Sequence, residues 1–112
     1  MARISTIQRT LQHLRKYGGD VAKVERPYNS YTKRRNDLFG FCDILWVCKQ
    51  GVHHYIQCCT YKDLDEHVKK IRRKASAIRL NKYGNVTIEV YAWRRTVVKG
   101  RTRWQHKVIY PF

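Results

Sequence analysis

A single aspartate interrupts an otherwise apolar run near the middle of the chain. Residues 41–48 are apolar at odd and even positions alike, which is typical of a central strand covered on both faces, and Asp43 breaks this pattern. A carboxylate in such a strand is costly to bury unless a basic side chain or a bound cation offsets its charge. The pattern leaves two alternatives open, which are an ion pair with an arginine and a metal site.

The turn after this strand predicts which residue lies opposite Asp43. Residues 49–51 suit a three-residue hairpin loop with Gly51 in the left-handed conformation. This loop length places Asp43 directly across from Gln57, with Cβ atoms about 4.5–5.5 Å apart on one face of the sheet. A two-residue turn would pair Asp43 with Cys58 instead, so the prediction depends on the turn type.

Further oxygen donors favour the metal alternative. Gln57 supplies a side-chain carbonyl, Glu25 lies in the preceding short strand, and Asp37 precedes the turn into the central strand. Mg²⁺, or Mn²⁺ in its place, prefers such oxygen ligands and keeps several waters, one of which could attack a phosphodiester. Lys70, on a predicted helix, is the candidate to orient or deprotonate that water. The candidate catalytic residues are therefore Asp43, Gln57, Glu25 and Lys70, and the candidate metal ligands are Asp43, Gln57, Glu25 and Asp37.

The charge balance points to a polyanionic partner. The chain carries 24 Lys and Arg residues against 8 acidic residues, a formal net charge of +16, and nucleic acid explains such an excess best. No apolar stretch approaches the ~20 residues of a membrane span, so no membrane partner is expected. Three basic clusters form the predicted phosphate-tracking surface: Lys33, Arg34 and Arg35; Arg72, Arg73 and Lys74; and Arg94, Arg95, Lys99, Arg101 and Arg103.

Two tryptophans are interleaved with these arginines. Trp93 and Trp104 could stack on unpaired bases, or they could simply pack beneath the last two strands. His53, His54 and His67 have no second histidine or acid at metal-ligand spacing, so we assign them no catalytic role. Motifs of nucleophilic triads and of Gly-rich phosphate loops are absent from the sequence, and no small-molecule cofactor is expected.

The four cysteines, Cys42, Cys48, Cys58 and Cys59, are predicted to be buried free thiols. No C-x-x-C pair occurs, and the cysteines fall inside apolar strand-like runs rather than on the paired turns that zinc modules use. The first residues are polar and show no signal peptide, so we expect an intracellular, reduced protein.

The spacing of apolar residues predicts a single α/β domain with the element order α-β-β-β-α-β-β. At 112 residues the chain has room for one hydrophobic core. Helices are predicted at 5–17 and 63–79, a loop at 28–36, and strands at 20–26, 41–48, 52–60, 86–94 and 103–110. The predicted buried stripe of the second helix is formed by Leu64, Val68, Ile71, Ala75 and Ile78. The last two strands are joined by a basic turn at residues 99–101.

This arrangement resembles the restriction-endonuclease-like superfamily, whose signature is PD…(D/E)xK. The segments DLFGFCDIL at residues 37–45 and IQCCT at 56–60 are similar to small phage nuclease-like proteins and to Holliday junction resolvases. The resemblance covers roughly residues 25–93. It implies a core with a mixed central sheet and a Mg²⁺-dependent DNA endonuclease, acting on branched DNA as a homodimer, in the host cytoplasm if the chain is phage-encoded.

The match to the motif is incomplete. Asp43 matches the motif aspartate, Gln57 stands where Asp or Glu is usual, and Cys59 stands where the lysine is expected. A glutamine can still donate an oxygen, whereas a cysteine cannot replace an ammonium group. The resemblance makes Lys70 the substitute, with Lys69 as the second choice. A catalytically inactive binding or regulatory protein on the nuclease scaffold is the alternative, and a basic partner of an acidic protein is a third.

Overall fold

The computed structural model describes residues 5–24 and 38–112. These residues form one α/β domain in the predicted order, except that the second helix is broken in two. The elements are α1 (Thr6–Arg15), β1 (Asp20–Lys23), β2 (Ile44–Val47), β3 (His53–Thr60), α2 (Leu64–Arg73), α3 (Ala75–Leu80), β4 (Val86–Val98) and β5 (Arg101–Ile109), with a 3-10 turn at Tyr61–Asp63. Residues 25–37, which include the end of the strand predicted at 20–26 and the loop predicted at 28–36, lie outside the described ranges.

The five strands form one mixed sheet in the order β1-β2-β3-β4-β5. Strands β3 and β4 are parallel, while the other neighbouring pairs are antiparallel. Parallel neighbours need a crossover connection, and α2 and α3 lie on the one between β3 and β4.

Each face of the sheet packs against its own helices because successive side chains of a strand point to opposite faces. On one side, Leu14 of α1 packs with Ile44, Ile56 and Tyr91, and this side is called the α1 face. On the other side, which is called the α2 face, the core combines residues of all the later elements. Its fully buried members include Phe41, Ile71, Ala77, Val90 and Ala92.

Helix α1 begins where the sequence predicts. The Ser5 hydroxyl accepts a hydrogen bond from the Gln8 backbone N–H at 3.1 Å, which satisfies one of the free donors of the first turn. The chain leaves the helix through Gly18, whose φ of +77° lies in the left-handed region that favours glycine. The Trp46 indole N–H donates to the Gly18 carbonyl at 2.9 Å and fixes this exit against β2.

The single helix predicted at 63–79 is wrong. Lys74 adopts an extended conformation, with φ −80° and ψ 119°, and separates α2 from α3. The break turns the second half of the segment, so that Ala77 is fully buried, whereas the predicted stripe residues Ala75 and Ile78 are exposed. The Ser76 hydroxyl donates to the Phe39 carbonyl at 2.8 Å and ties the start of α3 to the turn before β2.

The last two strands are longer than predicted, and their turn is shorter. Lys99 and Gly100, with φ of 51° and 75°, form a two-residue turn, and Arg101 pairs with Val98. Two left-handed residues give a turn whose twist matches that of the flanking strands, so pairing continues to the turn itself. Pairing of β3 with β4 ends at Thr60 and Trp93. Beyond that point β4 and β5 continue alone as a two-stranded ribbon, residues 94–105, which projects past the sheet.

Candidate functional site

The predicted hairpin register is confirmed. Gly51 has a φ of +80°, its N–H donates to the Cys48 carbonyl at 2.9 Å, and β2 pairs with β3 through Ile44 and Ile56. The next position along this register brings Asp43 to Gln57. The alternative pairing of Asp43 with Cys58 is therefore wrong at the level of register.

Asp43 is 4% exposed, and its carboxylate serves backbone and side chain together. Asp43 Oδ2 accepts a hydrogen bond from Gln57 Nε2 at 2.8 Å and another from the Cys58 backbone N–H at 2.9 Å. Because β2 begins only at Ile44, the carboxylate supplies an acceptor for a β3 amide that lies at the end of the β2–β3 ladder. Two N–H donors on one oxygen favour the ionised carboxylate.

Gln57 presents an unused acceptor beside this carboxylate. Its side chain is 4% exposed, and among the described residues Gln57 Oε1 has no hydrogen-bond partner. A buried carbonyl oxygen without a partner costs about 1–3 kcal/mol. Gln57 pairs with Val90, so the amide lies on the α2 face of the sheet.

The donor set fits a hard divalent cation. The Asp43 carboxylate and the Gln57 carbonyl are both oxygen ligands, and Mg²⁺ is bound by few protein oxygens while it keeps several waters. Within residues 5–24 and 38–112, no group of three His, Cys, Asp or Glu side chains is arranged to hold a metal. The other two predicted ligands, Glu25 and Asp37, lie outside the described residues.

The position expected for a catalytic lysine holds a neutral thiol. Cys59 is 5% exposed, and burial, followed by the negative charges of Asp63 and Asp43, raises its pKa to about 11. Lys70, the predicted substitute, lies on the exposed side of α2 in a surface hollow shared with Lys69 and Arg73. The structure thus places Asp43 in the interior and Lys70 at the surface.

Lys74 follows a different path from Lys70. Its aliphatic end lies against Gly40, so that a Cβ added to Gly40 would sit 2.5 Å from Lys74 Cε. The helix break at Lys74 brings this lysine over the turn that leads into Asp43.

The basic residues of the second predicted cluster are partly engaged. Arg72 Nε donates to the Pro111 carbonyl at 2.6 Å, and Arg73 Nε donates to the Lys69 carbonyl at 3.3 Å. These contacts leave part of each guanidinium group available at the surface. The first cluster, Lys33, Arg34 and Arg35, lies outside the described residues.

The third cluster lies on the ribbon. Arg94 donates to Gln105 Oε1 through Nε and Nη2, at 3.2 and 3.0 Å, and its guanidinium lies 4.9 Å from the Tyr61 ring centre. Arg95 pairs with Trp104 across the ribbon, on the α1 face. Arg101 and Arg103 are exposed on β5. The arginines of this cluster are therefore distributed over both faces of the ribbon.

The two tryptophans have different roles. Trp93 is 6% exposed and its indole N–H donates to Thr10 Oγ1 at 2.9 Å, so for Trp93 the packing alternative is confirmed. Trp104 is 40% exposed, and the Arg9 guanidinium lies 3.7 Å from its ring centre.

A polar cluster on the α1 face was missed by the sequence interpretation. His54 Nδ1 lies 2.5 Å from Glu89 Oε2, which also accepts from the Thr87 hydroxyl at 2.6 Å, and Glu89 is 3% exposed. The Trp46 ring stacks on His54 with ring centres 4.4 Å apart. The histidine and its acid belong to parallel strands that are distant in sequence. Glu89 could have been noticed as an acid interrupting the apolar strand β4, as Asp43 interrupts the run before it.

All four cysteines are free thiols, as predicted. Cys42, Cys58 and Cys59 are buried, whereas Cys48 is partly exposed, which corrects its predicted burial. Burial raises the pKa of Cys58, whose thiol donates to Thr10 Oγ1 at 3.3 Å. Hydrogen bonding from His54 lowers the pKa of Cys48.

Among the described residues, no helix has both the length and the apolar character needed to cross a membrane. Comparisons of the chain with protein-family models, with curated proteins and with solved structures found no match.

Proposed function

We propose that this chain binds DNA and that the ribbon formed by residues 94–105 is a principal contact. The observation that supports this most directly is the concentration of positive charge on a projecting element. Five of the twelve ribbon residues are basic: Arg94, Arg95, Lys99, Arg101 and Arg103. The ribbon has no third strand, so both of its faces carry exposed side chains.

The shape of the ribbon suits a DNA groove. The major groove of B-DNA admits a two-stranded β-ribbon, and cationic side chains on its flanks can contact phosphates. Each neutralised phosphate releases counterions, so binding through the ribbon must weaken steeply as salt rises. The net charge of +16 supplies a further long-range attraction.

A charge-matched pair of variants tests this proposal. The triple variant R95Q/R101Q/R103Q removes three ribbon charges, and R15Q/K62Q/K82Q removes three exposed charges elsewhere. Fluorescence anisotropy on a labelled duplex at several salt concentrations measures the slope of log K against log salt. We expect the ribbon variant to lower the slope by up to about 3, at about 0.9 per phosphate contact. Equal effects of the two variants would exclude a special role of the ribbon.

A second candidate function is metal-dependent hydrolysis of DNA phosphodiesters. The observation that favours it is the buried, unpartnered Gln57 Oε1 beside the Asp43 carboxylate. In this proposal Asp43 and Gln57 hold Mg²⁺ or Mn²⁺, with Glu25 and Asp37 as further ligands and Lys70 as the group that orients the attacking water. A metal bound there would supply an activated water and offset charge in the transition state.

The element order supports the nuclease proposal, because an acid before β2 and a glutamine in β3 stand where the resemblance requires its acidic motif residues. The buried Cys59 thiol and the exposed Lys70 weigh on the other side. We propose a structure-specific endonuclease acting as a homodimer on branched DNA. A catalytically inactive nucleic-acid-binding protein on this scaffold is the alternative.

Cleavage assays separate the two. A labelled four-way junction and a linear duplex are incubated with purified protein in the presence of Mg²⁺, Mn²⁺ or EDTA. The endonuclease proposal predicts metal-dependent products that disappear in D43N, while D43N still binds DNA. Salt-sensitive binding without cleavage of either substrate would establish the inactive alternative. Cleavage unchanged in D43N would remove Asp43 from the reaction.

A further inference from the structure

A cleft opens between α1 and the base of the ribbon, on the α1 face of the sheet. Its volume is about 370 Å³, and its lining includes Arg9, Lys16 and Trp104, with the histidines at positions 13 and 106 deeper in. This volume falls in the range of about 300–1,000 Å³ that small-molecule sites occupy. None of the described side chains that line the cleft is acidic.

Trp104 is the exposed aromatic surface of this cleft. The register of β4 and β5 places it opposite Arg95 and two positions from His106, all on the α1 face. Arg9 of α1 reaches across the cleft and its guanidinium lies 3.7 Å from the Trp104 ring centre. This cation–π contact orients the indole and holds a positive charge beside it.

The deeper part of the cleft is rigid and aromatic. His106 stacks in parallel with Tyr91, with ring centres 5.9 Å apart and an interplanar angle of 4°, and it lies 4.3 Å from the His13 ring. Burial lowers the pKa of both histidines. Neutral rings form a flat floor, so the positive charge of the cleft is concentrated at its rim, on Arg9 and Lys16.

We propose that this cleft binds an unpaired nucleobase, stacked on the indole of Trp104, with the adjacent phosphate held by Arg9, Lys16 and Arg95. The combination of an exposed aromatic ring and basic side chains without acids matches the chemistry by which proteins hold single-stranded nucleic acid. A base inside a duplex cannot reach the ring, because both of its faces are stacked on neighbouring bases. The inference rests on the proposed DNA binding and specifies its substrate, which is DNA with a single-stranded segment next to a duplex.

The test compares three labelled DNA ligands of equal length: a blunt duplex, a single strand, and a duplex with a single-stranded overhang. Affinities are measured by anisotropy for the unchanged chain and for W104A, W104F and R9Q. Y83A serves as the matched control, since Tyr83 is also an exposed aromatic residue, 60% exposed, and does not line the cleft. Thermal unfolding establishes that each variant is folded.

We expect W104A to weaken binding of the single strand and of the overhang by at least about fivefold, with little change for the blunt duplex. W104F should retain most of the affinity, and Y83A should match the unchanged chain. A direct readout needs no loss of affinity: the single strand should quench tryptophan emission, and the quenching should shrink in W104F. Equal losses of W104A on all three ligands, or no loss on any, would overturn the inference while leaving DNA binding in place. If the unchanged chain binds none of the three ligands, the proposed function itself fails.

Discussion

Gln57 Nε2 donates a 2.8 Å hydrogen bond to Asp43 Oδ2, and both side chains are 4% exposed. The bond joins the two residues proposed as metal ligands, so a change at Gln57 reports on both stability and cation binding. Q57E replaces the N–H donor by a second carboxylate, and the repulsion between the two acids should lower the free energy of unfolding by about 1–3 kcal/mol. Millimolar Mg²⁺ should restore much of this loss, because a cation between the oxygens removes the repulsion.

The matched control for that prediction is Q57L, which removes the donor and adds no charge. Thermal unfolding of both variants is followed with Mg²⁺ and with EDTA. A magnesium-induced rise in Tm that is equal in Q57E and Q57L would contradict a cation site at this position.

The cysteines should differ in reactivity. Hydrogen bonding from His54 lowers the pKa of Cys48, whereas burial raises the pKa of Cys59 to about 11. Because the thiolate is the nucleophile, iodoacetamide at pH 7.5 (a value of about the ordinary assay range) should label Cys48 first. Peptide mass spectrometry follows the labelling at each site.

His54 supplies the control for this prediction. The variant H54Q should slow alkylation of Cys48 at neutral pH and shift its pH profile toward higher pH, with no change for Cys59. Labelling of the buried Cys58 or Cys59 at the rate of Cys48 in the folded chain would show that exposure and thiolate formation have been assigned wrongly.

Acidification should destabilise the fold through the histidines under the cleft. Burial, then repulsion by His106 and Lys16, lowers the pKa of His13, and burial lowers that of His106. The unfolded chain therefore binds protons at these sites more readily than the folded chain does. Stability from this source is full above the ordinary histidine pKa of about 6.5 and is lost as the pH falls through the lowered values.

Melting curves between neutral and mildly acidic pH measure this loss. The double variant H13Q/H106Q should have a smaller decrease in Tm over that interval than the unchanged chain, even though its Tm at neutral pH is lower. Parallel decreases in both proteins would assign the acid sensitivity to other groups.

The Gly51 turn should tolerate substitution poorly for reasons of backbone conformation alone. Gly51 has a φ of +80° and nothing within 4 Å of the position where a Cβ would lie. G51A should therefore cost about 1–2 kcal/mol through the left-handed conformation and not through a clash. G84A is the control, because Gly84 also has open space but no left-handed φ. Urea unfolding gives both values, and equal stabilities of G51A and G84A would contradict the conformational explanation.

The register around Asp43 could be predicted because it depends on local information. A glycine at the third turn position and a continuous apolar run fix both the turn and the strand that precedes it. The pairing of His54 with Glu89 could not be predicted in this way, since it depends on the parallel pairing of β3 with β4 across an intervening helical segment.

The helix break at Lys74 had no local signal either. No Pro or Gly occurs in residues 63–80, and the contacts that hold the break, such as Ser76 with the Phe39 carbonyl, come from a turn far away in sequence. Trp93 and Trp104 look alike in the sequence because each follows or precedes arginine-rich residues. Only the end of β3 at Thr60 separates the covered tryptophan from the exposed one.

The end of β3 also divides the chain into two regions with different demands on their residues. Up to Trp93, a substitution in β4 must satisfy a core on both faces of the sheet. Past that point the ribbon is held by its own ladder and its two-residue turn, so its length and side chains can change two residues at a time without altering which face each remaining residue presents. The reach of the ribbon and the pattern of its charges can therefore diverge among related chains while the five-stranded domain beneath it stays the same.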